Sequence, residues 1–89
     1  MSVYAQNKDA VFREEYEEAL LFNPDNSDIV VINSTGRFIW QLCDGKNTKE
    51  GIINKILDEF DITSEKAGKD LDQFFYYLEK RNFLKKIQD

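Results

Sequence analysis

Apolar positions along this chain recur at two different periods, and the change falls near Asn33. Before it, β-branched and aromatic residues cluster in short segments separated by turn residues, as in strands. Val11 to Glu15 and Ala19 to Phe22 flank a Tyr16-Glu17-Glu18 reversal, which predicts a hairpin. Asn23-Pro24-Asp25-Asn26 then reads as a turn, because Pro presets φ and the Asp and Asn side chains accept local backbone bonds. A third strand follows over Asp28-Ile29-Val30-Val31-Ile32.

From Asn33 the period is helical. Asn33 or Ser34 caps a first helix in which Phe38, Ile39, Leu42 and Cys43 share an arc about 140° wide, and Asp44-Gly45 stops it. A second helix begins near Asn47-Thr48, where Asn47 and Glu50 have capping-box spacing, and it aligns Ile52, Ile53, Ile56, Leu57 and Phe60. The third starts after Thr63-Ser64, carries Ala67, Leu71, Phe74, Phe75 and Leu78 on one face, and ends near Arg81-Asn82. Phe83 to Ile87 is a short apolar tail, read as extended. The order predicts an α+β, winged-helix-like domain: a three-stranded antiparallel sheet followed by three helices. With 89 residues, there is room for one hydrophobic core, so residues 1–89 are expected to form a single domain with its core in 11–86.

The charge distribution narrows the partners. Three cations and eight acids give residues 1–45 the whole net charge of −5, while residues 46–89 hold nine of each sign. Phosphate neutralisation needs a basic surplus, so nucleic acid is disfavoured. No apolar run approaches the roughly 20 residues of a spanning helix, and no charged leader with an apolar h-region opens the chain, so a cytoplasmic protein off the membrane is expected.

Catalytic chemistry has little to stand on. Without His the commonest general base, nucleophile partner and metal ligand are missing. Cys43 stands alone and lies on the apolar arc of the first helix, which makes it a packing residue. The four glycines are isolated and lack the spacing of a phosphate-cradling loop. Asp25, Asn26 and Asp28 lack the fixed-spacing Gly and distal Glu of a calcium loop. Neither catalytic nor metal residues are assigned, and no cofactor is expected. Glu14, Glu15, Glu17 and Glu18 read as a solvated hairpin tip, and Lys80, Arg81, Lys85 and Lys86 as cations complementing a helix dipole.

The third strand is harder to place. Ile29-Val30-Val31-Ile32 is apolar on both faces, and a small sheet has little with which to cover the second. If the strand is also an edge, its unpaired N–H and C=O groups are a template for an added peptide strand, or for a second copy of the chain. The alternative is that residues 1–10, with Val3 and Tyr4, fold back over it; the pattern leaves both open. On the third helix Asp70, Gln73, Tyr77 and Arg81 flank the core stripe, where they can border that edge.

These residues carry a resemblance. Leu20-Leu21-Phe22-Asn23-Pro24, Ile32-Asn33-Ser34-Thr35-Gly36 with Ile39-Trp40, and Leu42-Cys43-Asp44-Gly45 followed by Thr48 resemble the PqqD-like family, also called RiPP precursor peptide recognition elements. Asp70-Leu71, Phe74-Phe75, Leu78 and Phe83-Leu84 look like that family's last helix and its end. The resemblance implies a non-catalytic chaperone that takes the leader of a ribosomally made precursor peptide as an extra antiparallel strand beside the third strand, against the third helix. It implies delivery to a modifying enzyme, often of the radical-SAM type. By position, Ile29, Val30, Val31 and Ile32 would supply the strand contacts, and Asp70, Gln73, Phe74 and Tyr77 the helix side. The unusually acidic hairpin departs from the family pattern. The rival reading is a winged-helix nucleic-acid-binding regulator, whose recognition helix should be basic; over residues 64–82 four cations cancel four acids.

Overall fold

The computed structural model describes residues 2–88. Its elements are β1 (Ser2–Gln6), β2 (Val11–Glu15), β3 (Glu18–Asn23), β4 (Asp28–Ile32), α1 (Ser34–Leu42), β5 (Asp44–Thr48), α2 (Lys49–Glu59), α3 (Ser64–Lys80) and β6 (Leu84–Gln88). The predicted meander is present as the antiparallel sheet β2-β3-β4. The three helices follow it, and the α+β, winged-helix-like architecture stands.

A second antiparallel sheet, β5-β1-β6, is the addition to that picture. The N-terminal segment does not fold over β4. It becomes the central strand β1, pairing on one side with β5 and on the other with β6 in a register that sets Tyr4 opposite Lys86. Val3 is buried, and the Tyr4 ring stacks on Phe75 of α3 with centroids 4.0 Å apart. β5 has the sequence DGKNT, which has almost no strand preference; pairing with β1 makes it extended.

Helix starts obey their caps. Asn33 Oδ1 accepts from Gly36 N at 2.9 Å, and Thr63 Oγ1 accepts from Lys66 N at 3.2 Å. At α2 the cap is Thr48, which accepts from Gly51 N at 3.1 Å, and not Asn47. The Asn47 amide instead donates to the Leu42 carbonyl and to Asp44, because β5 carries the chain away before the helix begins.

One hydrophobic cluster joins the inner face of β2-β3-β4 to all three helices, with Leu21, Ile52, Leu71, Leu78 and Phe83 fully buried at its centre. The end of α3 is tied down by asparagines. Asn82 takes the left-handed conformation, φ +65°, and the Asn82 and Phe83 N–H groups donate back to the Glu79 and Leu78 carbonyls, a Schellman closure. The carbonyls of Arg81 and Asn82 then receive three side-chain amides: Asn23 reaches both, at 3.3 and 3.2 Å, Asn26 donates to Arg81 and Asn7 to Asn82. Asn23 is fully buried, and its Oδ1 accepts from Asp25 N at 3.0 Å.

Asn23→Ala should therefore cost about 1–3 kcal/mol, the desolvation penalty of partners left unmade. Asn23→Asp should cost more, since a carboxylate would face two carbonyl oxygens, and the gap between the two variants should narrow as pH falls toward about 4 and the carboxylate protonates. Denaturant midpoints at pH 7 and pH 4.5 measure both.

Candidate functional site

Four strands of this fold form sheet margins, and three are blunted. β2 carries Arg13, Glu14 and Glu15, β6 carries Lys85 and Lys86, and β5 is polar throughout. Among the described residues only β4 offers an apolar margin, paired with β3 on one side and with no described strand on the other. Alternation resolves its two faces. Val30 and Ile32 point inward and are buried in the core, whereas Ile29 and Val31 point outward and are 57% and 61% exposed.

α3 runs beside this margin in the opposite direction and touches it through a bridge at each end. At the Asp28 end, Arg81 Nη1 donates to both oxygens of the Asp28 carboxylate, at 3.1 and 3.0 Å, and the same guanidinium stacks over Tyr77 at 4.6 Å. At the Ile32 end the bridge is the first turn of α1. A Cβ on Gly36 would lie 3.0 Å from Ile32 Cβ and 3.1 Å from Phe74 Cε1, so glycine lets strand, α1 and α3 approach this closely without the neighbours giving way. From Arg81 back to Phe74 is about 10 Å of helix, and from Asp28 to Ile32 about 13 Å of strand, so the bridges bound a gap some four strand residues long.

A groove of ≈ 410 Å³ opens beside that gap, lined by Asn33, Thr35, Gly36, Ile39, Asp70, Gln73, Phe74 and Tyr77. All four helix residues singled out from the sequence line it. Phe74 is half-buried and forms part of its apolar wall with Ile39, while Asp70, Gln73 and Tyr77 are exposed along its rim. None of the four strand residues lines it: Ile29 and Val31 present their side chains to solvent, and the side chains of Val30 and Ile32 belong to the core. The sequence reading missed Asn33, Thr35, Gly36 and Ile39. The turn at the start of α1 was visible as a cap, but nothing in the pattern placed it against α3.

The charges around the groove are already partnered. Lys66 Nζ lies 3.3 Å from Asp70 and Lys69 Nζ 3.8 Å from Glu65, each one helical turn apart, Lys49 pairs with Asp72, and Arg81 is held by Asp28. With Lys66 and Lys69 engaged this way and Lys80 over the Tyr76 ring, α3 carries no basic surplus, which disfavours the nucleic-acid reading. A larger depression of ≈ 750 Å³, lined by Lys8, Glu79, Lys85, Lys86 and Ile87 among others, lies at the other sheet. It meets no apolar strand margin.

Cys43 is fully buried and its Sγ donates to the Ile39 carbonyl at 3.3 Å. Burial, reinforced by the neighbouring Asp44 carboxylate, pushes its thiol up to about 12, the opposite of what a nucleophile requires. Among the described residues, no three His, Cys, Asp or Glu side chains gather where a metal could be held, and no helix is long and apolar enough to cross a membrane.

Fold and margin together define a winged-helix-like module with an apolar edge strand and, beside it, a groove between the start of α1 and α3. The chain belongs to the PqqD family: the family model for coenzyme PQQ synthesis protein D matches residues 18–84. Solved structures agree on the fold. TbiB1, solved in complex with the TbiA(beta) leader peptide, is 20% identical with a TM-score of 0.84, over 96% of this chain and 99% of that one. Lasso peptide synthetase B1, complexed with its leader peptide, is 11% identical with a TM-score of 0.81, over 92% and 96%. The heterocyclase TruD matches with a TM-score of 0.67 and 13% identity over 98% of this chain, which spans only 12% of that enzyme. Comparison with curated proteins finds no match.

A thiol reagent at pH 8 should leave Cys43 unmodified in the folded chain and label it at the rate of global opening in denaturant. Because the folded thiol titrates near 12 and the unfolded one near 9, the stability it contributes is complete below pH 9 and is lost as pH rises through that interval. Urea midpoints falling between pH 9 and 11, by more than in Cys43→Ala, would register it.

Proposed function

We propose that this chain binds the leader segment of a ribosomally made precursor peptide and presents it to a modifying enzyme, taking no part in the chemistry itself. The observation that carries the reading is the β4 margin: an apolar edge strand left unpaired beside a groove, where the other three margins are charged or polar. Two proteins of the same fold, TbiB1 and lasso peptide synthetase B1, were solved with leader peptides bound, which supports a peptide as ligand. The absence of His and the buried, high-pKa Cys43 support a role in binding alone.

In this reading the leader adds as an antiparallel fourth strand beside β4. The backbone of Ile29, Val30, Val31 and Ile32 supplies the ladder. Alternate leader side chains enter the groove toward Phe74 and Ile39, with Asp70, Gln73 and Tyr77 along the rim. The modifying enzyme is of the radical-SAM type, and the encounter takes place in the cytoplasm.

The test is a titration of the isotopically labelled chain with a synthetic leader taken from any short open reading frame found next to its coding region. Amide shifts should concentrate in residues 28–32 and 66–77. Tyr77, 44% exposed, can be removed with little loss of core, so Tyr77→Ala should weaken leader binding roughly tenfold, about 1.4 kcal/mol, while the denaturant midpoint barely moves. Shifts confined to the acidic hairpin, or unchanged affinity in a folded Tyr77→Ala chain, would put the site elsewhere.

A further inference from the structure

The outer face of β2-β3-β4 is a second surface. The register sets Val11, Phe22 and Ile29 in one cross-strand row and Arg13, Leu20 and Val31 in the next. Val11, Ile29 and Val31 are all more than half exposed, Phe22 and Leu20 half-buried, and no element of the described chain packs over them. Five apolar side chains gathered on one open sheet face form a patch that an isolated domain rarely leaves bare.

Its surroundings indicate what covers it. At the hairpin end the same face continues into the Glu15–Glu18 row, in which Glu15 is 3.1 Å from Arg13, with Glu17 in the reversal beside it. Glu14 lies on the other face, toward Arg37; beyond the opposite end lies the turn with Asp25. A second copy seated face to face would bring acidic ends against acidic ends, in a chain of net charge −5. A partner whose apolar patch is flanked by Lys and Arg would not. The patch also runs into β4, so a strand added at that margin would widen this same face by its outward side chains.

We infer that this face docks the modifying enzyme, through an apolar patch with a basic border on the enzyme, and that the enzyme there meets the domain and the bound leader as one surface. The inference rests on the leader-binding role proposed above. It accounts for the acidic hairpin as a border of complementary charge, with Arg37 holding the tip by donating to the Tyr16 carbonyl at 3.0 Å.

The test uses the full chain in its host, with the photo-crosslinker p-benzoylphenylalanine placed at Val11 on the outer face or, separately, at Gln73 on the groove rim. The Gln73 probe should capture a short precursor, and the Val11 probe an enzyme that, once purified, modifies that same precursor. With the purified pair, Glu15→Lys combined with Glu18→Lys should weaken enzyme binding at least tenfold at low salt and leave leader affinity within twofold. A Val11 crosslink to a second copy, to the precursor alone, to a protein inactive on it, or to nothing, with capture at Gln73 intact, overturns the docking face and leaves leader binding standing. Failure of capture at Gln73 overturns leader binding and this inference with it.

Discussion

The placement of β4 beside α3 depends on a knot of asparagine amides at the end of α3. A helix terminus leaves carbonyls without partners, and here two of them are answered from three separate parts of the chain: Asn7 after β1, Asn23 at the end of β3 and Asn26 in the following turn. The Asn7 and Asn26 bonds are exposed, but Asn23 is fully buried, and there an unmade bond is expensive. They anchor the β3–β4 turn to the helix. Only then can Arg81 reach the Asp28 carboxylate and close the near end of the groove. With Gly36 keeping the far end tight, the strand is held at both ends and left free along its edge.

Leaving an edge free invites aggregation, and the rest of the molecule offsets the risk. Arg13, Glu14 and Glu15 on β2, and Lys85 and Lys86 on β6, blunt two margins, while β5 has no apolar run to offer. The concentration of negative charge in the first half adds repulsion between copies on the side where β4 lies open. Among the described residues an apolar margin is thus kept in one place only, as the proposed binding edge requires.

How far the sequence could be read depended on whether the signal was local. The β2–β3 hairpin, β4 and the three helices are written in short-range patterns; of the two caps offered for α1 it is Asn33 that acts, and α3 starts directly after Thr63, which caps it. β4 stood out because Ile29 to Ile32 defies the alternation of a half-buried strand, and the structure decides what the pattern left open, since one of its faces stays uncovered. What was not legible came from pairing at long range. Ser2-Val3-Tyr4-Ala5 has a strand's composition but no turn to announce a partner, since its partners lie some 40 and 80 residues away. Asp44 to Thr48 has a turn's composition, and tertiary pairing overrides it. The α1 half of the groove was hidden for the same reason: Gly36 is an ordinary helical glycine until Ile32 and Phe74 close on it.

The short margin also limits how tightly any peptide strand can be held. β4 is five residues long, and each residue of an incoming strand costs about 1–2 kcal/mol to order while each backbone hydrogen bond returns a net of about 0.5–1.5 kcal/mol. The ladder therefore roughly cancels, and affinity falls to the side chains that enter the groove. Two or three apolar anchors at about 1.5–3 kcal/mol each bring the total toward about −8 kcal/mol, a micromolar complex. The groove's charges are already spent within the protein, Lys66 on Asp70 and Arg81 on Asp28, so they add little beyond shape. A site of this kind selects by apolar spacing and releases readily, the two properties that the proposed leader-carrying role requires.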